Sequence, residues 1–421
     1  MGSLVARLKN GKAAKQIALL SSGSLIAQLL TFAMSPVLTR LYSTEVIGLF
    51  TFVLSIVSAF SGVICLRYDV SIVTADKDSF GPLFKACVII TVALSLLIGV
   101  GSFVVCWLFE MVEPSSLWTI VFVFPLLLVA GAINILNGCN NRNEEYKAIS
   151  DAYVGRSVAQ NAIMVGAGLV VPNAAVLLVS QLVGQFAGIK LQLRALHDSW
   201  KDALRVDSDT VRRAVVDNRA QALFSTPATL LNAASYSLVS LCIGNVYGMG
   251  VLGLYSISFR VLGVPLAVFS SNIARVHCKL SEREMGSSGS YFKSTLKMLL
   301  ASLAIILPIS ALLFFFSPPA FSVLFGPEWE EAGVYVQILV PMFLLRFLAG
   351  SIGYGFFLSR KQWQETVIQL LLLITLVGVL AISVACGADV ITFLIALSAT
   401  WSVVYLTEIG LFVVNSKRGA Y

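Results

Sequence analysis

Residues 86–109 read ACVIITVALSLLIGVGSFVVCWLF, a run of 24 residues without a charged side chain. As an α-helix such a run is about 36 Å long, and the hydrocarbon core of a bilayer is about 30 Å thick. Comparable runs recur along the whole chain, and none alternates polar and apolar residues as the strands of a membrane barrel do. The run therefore predicts a membrane-spanning helix, and its repetition predicts an all-α polytopic membrane protein.

The composition supports the same fold class. Of the 421 residues, 57% are hydrophobic and only 12% are charged, and the mean hydropathy is +0.88. Soluble domains contain about 25% charged residues, so most of this chain must lie in lipid. Hydrophobic windows predict about twelve transmembrane helices, at 17–38, 47–66, 86–109, 117–137, 150–170, 173–194, 222–244, 249–272, 296–317, 335–358, 363–385 and 390–414.

The basic residues lie almost entirely on one side of these predicted spans. The segment 190–219 alone holds seven of them, whereas the opposite side holds only Arg40 among acidic or neutral connections. The positive-inside rule then places both termini in the cytoplasm, which requires an even number of spans. This arrangement also explains the net charge of +7 without a nucleic-acid partner.

The longest polar connection divides the predicted spans into six and six. We expect an N-terminal six-helix lobe at 1–194, a cytoplasmic linker at 195–221 and a C-terminal six-helix lobe at 222–421, with the two bundles around a central cavity. Residues 41–50 resemble residues 246–255 at a constant offset of 205, which indicates a parallel internal repeat. A chance match between two short turns is the alternative.

Polar residues at helical spacing give several predicted spans one polar face. Gln28 belongs to such a stripe on the first span, and Asn232 belongs to one on the seventh. The stripes indicate either the lining of an aqueous cavity, which makes both residues candidates for substrate binding, or tight packing of helices in lipid.

Two arginines fall near the middle of predicted spans, Arg260 in the eighth and Arg346 in the tenth. A charge at the bilayer centre costs at least about 2.5 kcal/mol, so each needs a cavity or a partner. A guanidinium donates to two oxygens at once, which favours an anion such as a pyrophosphate and disfavours a cationic drug. Both arginines are therefore predicted to bind substrate.

Four further charged residues are candidates nearer the membrane faces. Arg40 ends the first span on the outside, and Arg67 and Asp69 end the second on the inside. Glu408 lies in the last span, where it can neutralise an arginine or bind a coupling ion. Arginines at the interface often extend toward lipid headgroups without further function, which is the alternative for Arg40 and Arg67.

Cofactor chemistry has no support in the sequence. The seven cysteines have no CxxC spacing, and no GxxxxGK[ST] phosphate-binding loop occurs. His197 and His277 lie outside the predicted spans, which argues against a buried histidine relay. We therefore expect no enzyme, no cofactor and no metal site; ion coupling by H+ or Na+ would have to use Glu408, an acid at a membrane face such as Asp69, or backbone carbonyls.

Several stretches resemble a known family, the bacterial polysaccharide transporters of the Wzx-type O-antigen flippase group. The similar stretches follow one another in the same order across nearly the whole chain. They are LTRLYS at 38–43, GLF at 48–50, LRYD at 66–69, NNRNEEYK at 140–147, GLYSISFRVLGVP at 253–265 and FGPEWEEAG at 325–333.

The resemblance implies the two-bundle fold of the multidrug/oligosaccharidyl-lipid/polysaccharide exporters. It implies a flippase of the bacterial inner membrane that moves an undecaprenyl-diphosphate-linked oligosaccharide to the periplasmic leaflet by alternating access. The substrate, membrane lipids and the polysaccharide polymerase machinery are the partners it suggests. Arg260 carries over best because it stands within a similar stretch, and Asp69 replaces the glutamate usual after Arg-Tyr.

Three rival functions remain open at the level of sequence. A cation-coupled multidrug exporter should have a carboxylate deep in the first lobe, and the predicted spans there have no acid at the midplane. A polymerase should have a large outer loop with basic or catalytic residues, whereas the longest outer connection, roughly 317–334, has no Lys, Arg or His. A lipid II flippase differs only in its sugars, because its substrate carries the same pyrophosphate.

Overall fold

The computed structural model describes residues 11–196 and 199–418, and all regular secondary structure in these ranges is helical. This confirms the predicted all-α class. The chain forms two compact units, which divide between Ser237 and Leu238. The predicted lobes at 1–194 and 222–421 stay a prediction.

Unit 1 is built from ten helices and the first half of an eleventh, counted over its described residues. They are α1 (Gly11–Ala33), α2 (Ser35–Leu41), α3 (Thr44–Ser61), α4 (Tyr68–Thr74), α5 (Lys77–Leu108), α6 (Val123–Arg142), α7 (Tyr146–Gly168), α8 (Ala174–Ala195), α9 (Ser199–Leu204), α10 (Ser208–Asp217) and α11 (Thr226–Tyr247). A 3-10 turn at Leu117–Phe122 leads into α6, and a π-helical turn at Gln221–Ser225 leads into α11.

Unit 2 continues from the second half of α11. Its further helices, up to residue 418, are α12 (Met249–Ser288), α13 (Phe292–Phe325), α14 (Glu330–Ser351), α15 (Gly355–Leu358), α16 (Gln362–Ala385) and α17 (Val390–Arg418). A 3-10 turn at Pro327–Trp329 precedes α14.

Short polar side chains begin several of these helices. The Ser43 hydroxyl accepts a hydrogen bond from the Val46 amide at 3.4 Å, and Asp76 accepts one from the Ser79 amide at 2.8 Å. Asn173 does the same for the Val176 amide at 3.0 Å. Each side chain satisfies a backbone donor that has no partner within the helix, and so fixes where α3, α5 and α8 begin.

Eleven helical segments of the described chain are long and apolar enough to cross a membrane. The helix α7, which corresponds to the predicted fifth span, falls below the hydropathy of the others because it contains Arg156, Gln160 and Asn161. Its 23 residues nevertheless extend about 34 Å. It packs between α1 and α8, both of which belong to segments long enough to span. A twelfth spanning helix at α7 stays a prediction.

Hydrogen bonds hold α7 in this position. The Ser157 hydroxyl lies 3.1 Å from the Thr31 hydroxyl and donates to the Ala27 carbonyl at 3.1 Å, which ties α7 to α1. The Tyr42 hydroxyl donates to the Met164 carbonyl at 2.7 Å. These polar contacts lie between helices, where lipid cannot supply hydrogen-bond partners.

The predicted linker at 195–221 packs on unit 1 over its described residues. The Lys85 ammonium donates to the Val206 carbonyl at 2.6 Å, and the Tyr68 hydroxyl donates to the Val215 carbonyl at 3.2 Å. A Cβ added at Gly81 would lie 2.9 Å from Val206, so α5 approaches this segment closely. The segment therefore forms short helices α9 and α10 against α5 instead of an extended connection.

Helix α12 is much longer than the span 249–272 predicted for it. It runs for 40 residues, about 60 Å, or roughly twice the thickness of the hydrocarbon. Its far half carries His277, which is fully buried and lies 3.1 Å from the Thr295 hydroxyl of α13. His197 lies outside the described residues.

Candidate functional site

Arg346 of α14 lies near the middle of the 32-residue segment Pro327–Leu358. The centre of its guanidinium is 5.4 Å from the ring centroid of Phe343 and 5.7 Å from that of Phe259. The two rings stand edge to face, 5.4 Å apart. A cation over aromatic faces at these distances is attracted to the ring electrons, so this aromatic pair holds the guanidinium in place.

Arg260 follows Phe259 directly on α12, eleven residues after Met249 and hence about 16 Å from that end of the helix. The residue is half-buried. It makes no hydrogen bond or ion pair with any described residue. A guanidinium at this depth keeps all its donors available for a ligand, because lipid offers no acceptors.

Glu408 of α17 is half-buried in the same unit. Its carboxylate is within electrostatic reach of Arg346 and of Glu365, which lies in the first turn of α16. The position of Glu365 inside the predicted span 363–385 was overlooked at the level of sequence. Unit 2 thus brings Glu408 close to one acid, Glu365, and to one mid-span arginine, Arg346. Arg260 is linked to this group through the preceding residue, Phe259, whose ring contacts the Arg346 guanidinium.

The remaining candidates lie in unit 1, and most of them are exposed. Arg40, Gln28 and Asn232 each have exposed side chains. Their predicted role in substrate binding stays a prediction, since no described contact gathers them into one site.

Arg67 and Asp69 form a separate, strained cluster at the start of α4, with Arg67 just before the helix and Asp69 in its first turn. Leu66 and Arg67 both adopt left-handed backbone angles, with φ of 47° and 62°. Residues other than glycine rarely adopt such angles. The Arg67 Nε and the Asp69 Oδ1 atoms are buried without a hydrogen-bond partner among the described residues. Burial raises the pKa of the Asp69 carboxyl, and the nearby charge of Arg67 opposes that rise.

Arg156 is the functional candidate that sequence reasoning missed. The pattern placed the start of the fifth span at 150 and so grouped Arg156 with the cytoplasmic residues. Helix α7 begins one turn earlier, at Tyr146, which makes Arg156 the eleventh of its 23 residues and therefore central. The spacing of Arg156 and Gln160, four residues apart on one helix face, was the available signal.

Metal binding finds no support among the described residues, which contain no group of three or more His, Cys, Asp or Glu side chains that could hold an ion.

Comparison with known families identifies the class of protein. A family model described as polysaccharide biosynthesis protein matches residues 70–334, more than half of the chain. The chain belongs to the polysaccharide biosynthesis protein family. The matched region of this family member contains Arg156 and Arg260 and ends before Arg346. No curated protein matches the chain.

Solved structures show that this family member has the fold of the MOP-superfamily transporters. A structure of the lipid II flippase MurJ in an inward closed conformation aligns with a TM-score of 0.69 at 10% identity, over 95% of this chain and 91% of the other. An inward-facing multidrug resistance transporter of the MATE family gives 0.54 at 13% identity, over 95% of both chains. A MOP-superfamily transporter from Pyrococcus furiosus gives 0.53 at 14% identity, over 96% of both. The protein is thus a multi-pass membrane protein of this fold.

Proposed function

We propose that the chain is a flippase for an undecaprenyl-diphosphate-linked oligosaccharide, such as an O-antigen or exopolysaccharide repeat unit. It moves this substrate from the cytoplasmic to the periplasmic leaflet by alternating access. The observation that carries the proposal is the pair of mid-span arginines in unit 2: Arg260, which has no partner in the part of the chain that the structure describes, and Arg346, which two aromatic rings hold. Membership of a polysaccharide biosynthesis family and the fold of MOP-superfamily transporters support it.

The chemistry of a lipid diphosphate suits these side chains. A diphosphate offers several negatively charged oxygens, and each guanidinium can donate two parallel hydrogen bonds to them. The aromatic pair, Phe259 and Phe343, fixes Arg346 from one side, so less side-chain entropy is lost when the anion binds. The sugars occupy the central cavity predicted from the sequence, while the polyprenyl tail stays in lipid.

The acids of unit 2 supply a route to ion coupling. Glu408 is within electrostatic reach of both Arg346 and Glu365. A proton or Na+ bound at Glu408 removes the negative charge that competes with the substrate for Arg346. Uptake of the ion and binding of the anion therefore favour each other, and release of one favours release of the other.

The location and partners follow from the same proposal. The protein lies in the bacterial inner membrane with both termini in the cytoplasm, where the substrate is assembled. The polysaccharide polymerase machinery receives the product on the periplasmic side. A cysteine-accessibility map of the connections would test the orientation, with residue 113 expected to react from outside and residue 283 only after permeabilisation.

A lipid II flippase is the alternative that a specific observation favours. The lipid II flippase MurJ aligns with a TM-score of 0.69, whereas the multidrug resistance transporter aligns with 0.54. Lipid II carries the same pyrophosphate, so the arginines of unit 2 would serve it equally well. A cation-coupled multidrug exporter is less compatible with two mid-span arginines, because they repel a cationic drug.

A complementation experiment tests the function. The host is a strain that lacks its own oligosaccharide flippase and is supplied with the sugar-assembly genes that neighbour this one. It should regain surface polysaccharide when the wild-type chain is expressed. The variants Arg260→Ala and Arg346→Ala should each restore less than about a tenth of the surface polysaccharide that the wild-type chain restores, because a charge-assisted contact to substrate contributes roughly 1.5–3 kcal/mol. The control Arg283→Ala removes an exposed arginine from the same helix as Arg260 and should act like wild type.

Two outcomes would contradict the proposal. If both arginine variants restored full polysaccharide at wild-type expression, the anion site would be wrong. If the wild-type chain instead rescued a strain depleted of its lipid II flippase and not the polysaccharide strain, the alternative substrate would be correct.

A further inference from the structure

Unit 1 contains a polar seam between two of its spanning helices, at the same depth as a bilayer midplane. The α7–α8 seam consists of Arg156 and Gln160 on α7 and Gln181 and Gln185 on α8. Arg156 lies ten residues after Tyr146, about 15 Å from that end of α7, and twelve residues before Gly168. The seam therefore holds a permanent positive charge where charge is most costly.

Glycines of α8 let the two helices approach closely at this point. A Cβ added at Gly184 would lie 2.8 Å from the Arg156 carbonyl oxygen and 2.7 Å from the Gln160 Cβ. One at Gly188 would lie 3.6 Å from the Arg156 Cβ. The pair Gly184 and Gly188 is a small-xxx-small spacing, which brings helix backbones together in membranes. The stems of Arg156 and Gln160 are thereby fixed against α8.

Arg156 has no counter-charge in this position. It is half-buried, and it forms no hydrogen bond or ion pair with any described residue. A structural arginine in a membrane helix pairs with an acid or with backbone carbonyls. An arginine without either has donors that only a ligand or water can satisfy.

Gln185 gives a second, independent sign of a ligand. It follows Gly184 on the buried face of α8, is 5% exposed, and its Oε1 atom has no partner among the described residues. Neighbouring Gln192 shows the contrasting case, because its amide donates to the Asn137 side chain at 3.1 Å. The Gln185 Oε1 atom is therefore a buried acceptor without a partner among the described residues, one residue from the contact of Gly184 with α7. Rotation about the last torsion of this side chain presents either its oxygen or its NH2 group.

We infer that the α7–α8 seam binds an oxyanion, with Arg156 as the charged donor and the amides of Gln160 and Gln185 as neutral donors. The inference rests on the proposed function, since it adds a second anion-binding site for the same substrate. The oxyanion comes from the diphosphate of the lipid carrier or from the carboxylate of an acidic sugar. Both sources present a pair of negatively charged oxygens, on a tetrahedral phosphorus or a planar carboxylate, that a guanidinium binds with two hydrogen bonds.

The test uses the full-length protein in lipid nanodiscs and two probes. Farnesyl diphosphate stands for the lipid diphosphate, and a disaccharide that contains glucuronic acid stands for the acidic sugar; binding is measured by calorimetry. Arg156→Gln should weaken binding of one probe about tenfold, the loss expected for one charge-assisted contact. The matched control Lys147→Gln removes an exposed charge from the first turn of the same helix and should leave both affinities unchanged.

The pattern of effects identifies the source of the anion. Weaker binding of farnesyl diphosphate alone assigns the seam to the diphosphate, and weaker binding of the disaccharide alone assigns it to the sugar. If Arg156→Gln bound both probes as tightly as wild type, the inference would be overturned. If Arg156→Gln failed to fold, Arg156→Lys would decide in its place, because a single ammonium cannot make the two-pronged contact and should weaken binding about threefold.

A separate readout keeps this inference apart from the proposed function. If Arg156→Gln bound both probes like wild type while Arg260→Ala lost surface polysaccharide, the anion site at the α7–α8 seam would be refuted and the flippase function would stand. If the wild-type chain bound neither probe and restored no polysaccharide, both the anion site and the flippase function would be refuted.

Discussion

The two mid-span arginine regions of the molecule hold their charges by different means. In unit 2 the Arg346 guanidinium rests on the rings of Phe259 and Phe343 and lies within electrostatic reach of Glu408. In unit 1 Arg156 forms no hydrogen bond or ion pair with any described residue, and the close approach of α8 at Gly184 and Gly188 fixes its stem. The comparison teaches that equal depth does not imply equal surroundings: one charge is stabilised by its side-chain neighbours, and the other depends on backbone packing.

Removal of the better-supported charge should have the largest effect. Arg346→Ala is expected to lower transport of lipid-linked oligosaccharide about 100-fold, because it removes one of the two guanidinium groups proposed to bind the diphosphate, and one charge-assisted contact contributes roughly 1.5–3 kcal/mol. Transport is measured as surface polysaccharide against membrane level of the protein. Arg346→Lys should recover only part of the loss, and full recovery by lysine would show that charge alone suffices.

Loss of the glycine contact should have the next largest effect, and on stability more than on transport. Gly184→Ala places a methyl group 2.8 Å from the Arg156 carbonyl oxygen, so α7 and α8 must separate, at a cost of about 1–3 kcal/mol. Gly166→Ala is the matched control on α7, because nothing lies within 4 Å of its added Cβ. The measurement is unfolding in detergent; equal stability of the two variants would contradict the tight packing of the seam.

The aromatic pair should contribute less than the charge it holds. Phe343→Leu keeps an apolar side chain but removes one ring face from Arg346, and a single cation–π contact contributes about 0.5–2 kcal/mol. We expect transport to fall about three- to tenfold. A change of this size in Phe343→Leu that disappears in an Arg346→Gln background would establish the coupling, whereas additive effects would argue for simple packing.

A pH effect should follow from the half-buried acid in the first turn of α4, and it should be the smallest. Burial raises the pKa of Asp69 above its ordinary value of 3.8, so the native state binds more protons than the unfolded state. The contribution of Asp69 to stability is then present at low pH and declines as pH rises from about 4 through the raised pKa. Asp69→Asn should reduce this decline, which is measured as the melting temperature at a series of pH values between about 4 and 8. If the melting temperature of the variant fell with pH as steeply as that of wild type, Asp69 would not be the group responsible.

Hydrophobic run length predicted the fold class and most spans because lipid imposes it on every spanning helix. The eighth and tenth spans were placed well enough to find Arg260 and Arg346. The fifth was not, because the polar residues of α7 hide the start at Tyr146. A helix that buries polar groups against its neighbours looks, in sequence, like a connection.

The surroundings of the candidate residues could not be predicted. The Phe259 and Phe343 rings come from two helices, and their approach to Arg346 depends on packing that no single stretch records. The same holds for Gly184, because its contribution to the close approach of α7 and α8 depends on which residue of α7 faces it. Position within a hydrophobic run therefore identified which charged residues lie inside spans, whereas tertiary packing determined which of them have partners.

The length of α12 has a mechanical consequence. The helix continues 23 residues beyond Pro265, about 34 Å, and near its end the Glu284 carboxylate accepts hydrogen bonds from the Lys293 and Ser294 amides at 3.1 and 2.7 Å. That fastening makes the far half of α12 a lever arm with α13 bound to its tip. A tilt of about ten degrees at the proline would displace Glu284 by about 5 Å, using the 1.5 Å rise per residue. A small rotation beside Arg260 would thus become a large stroke at the start of α13.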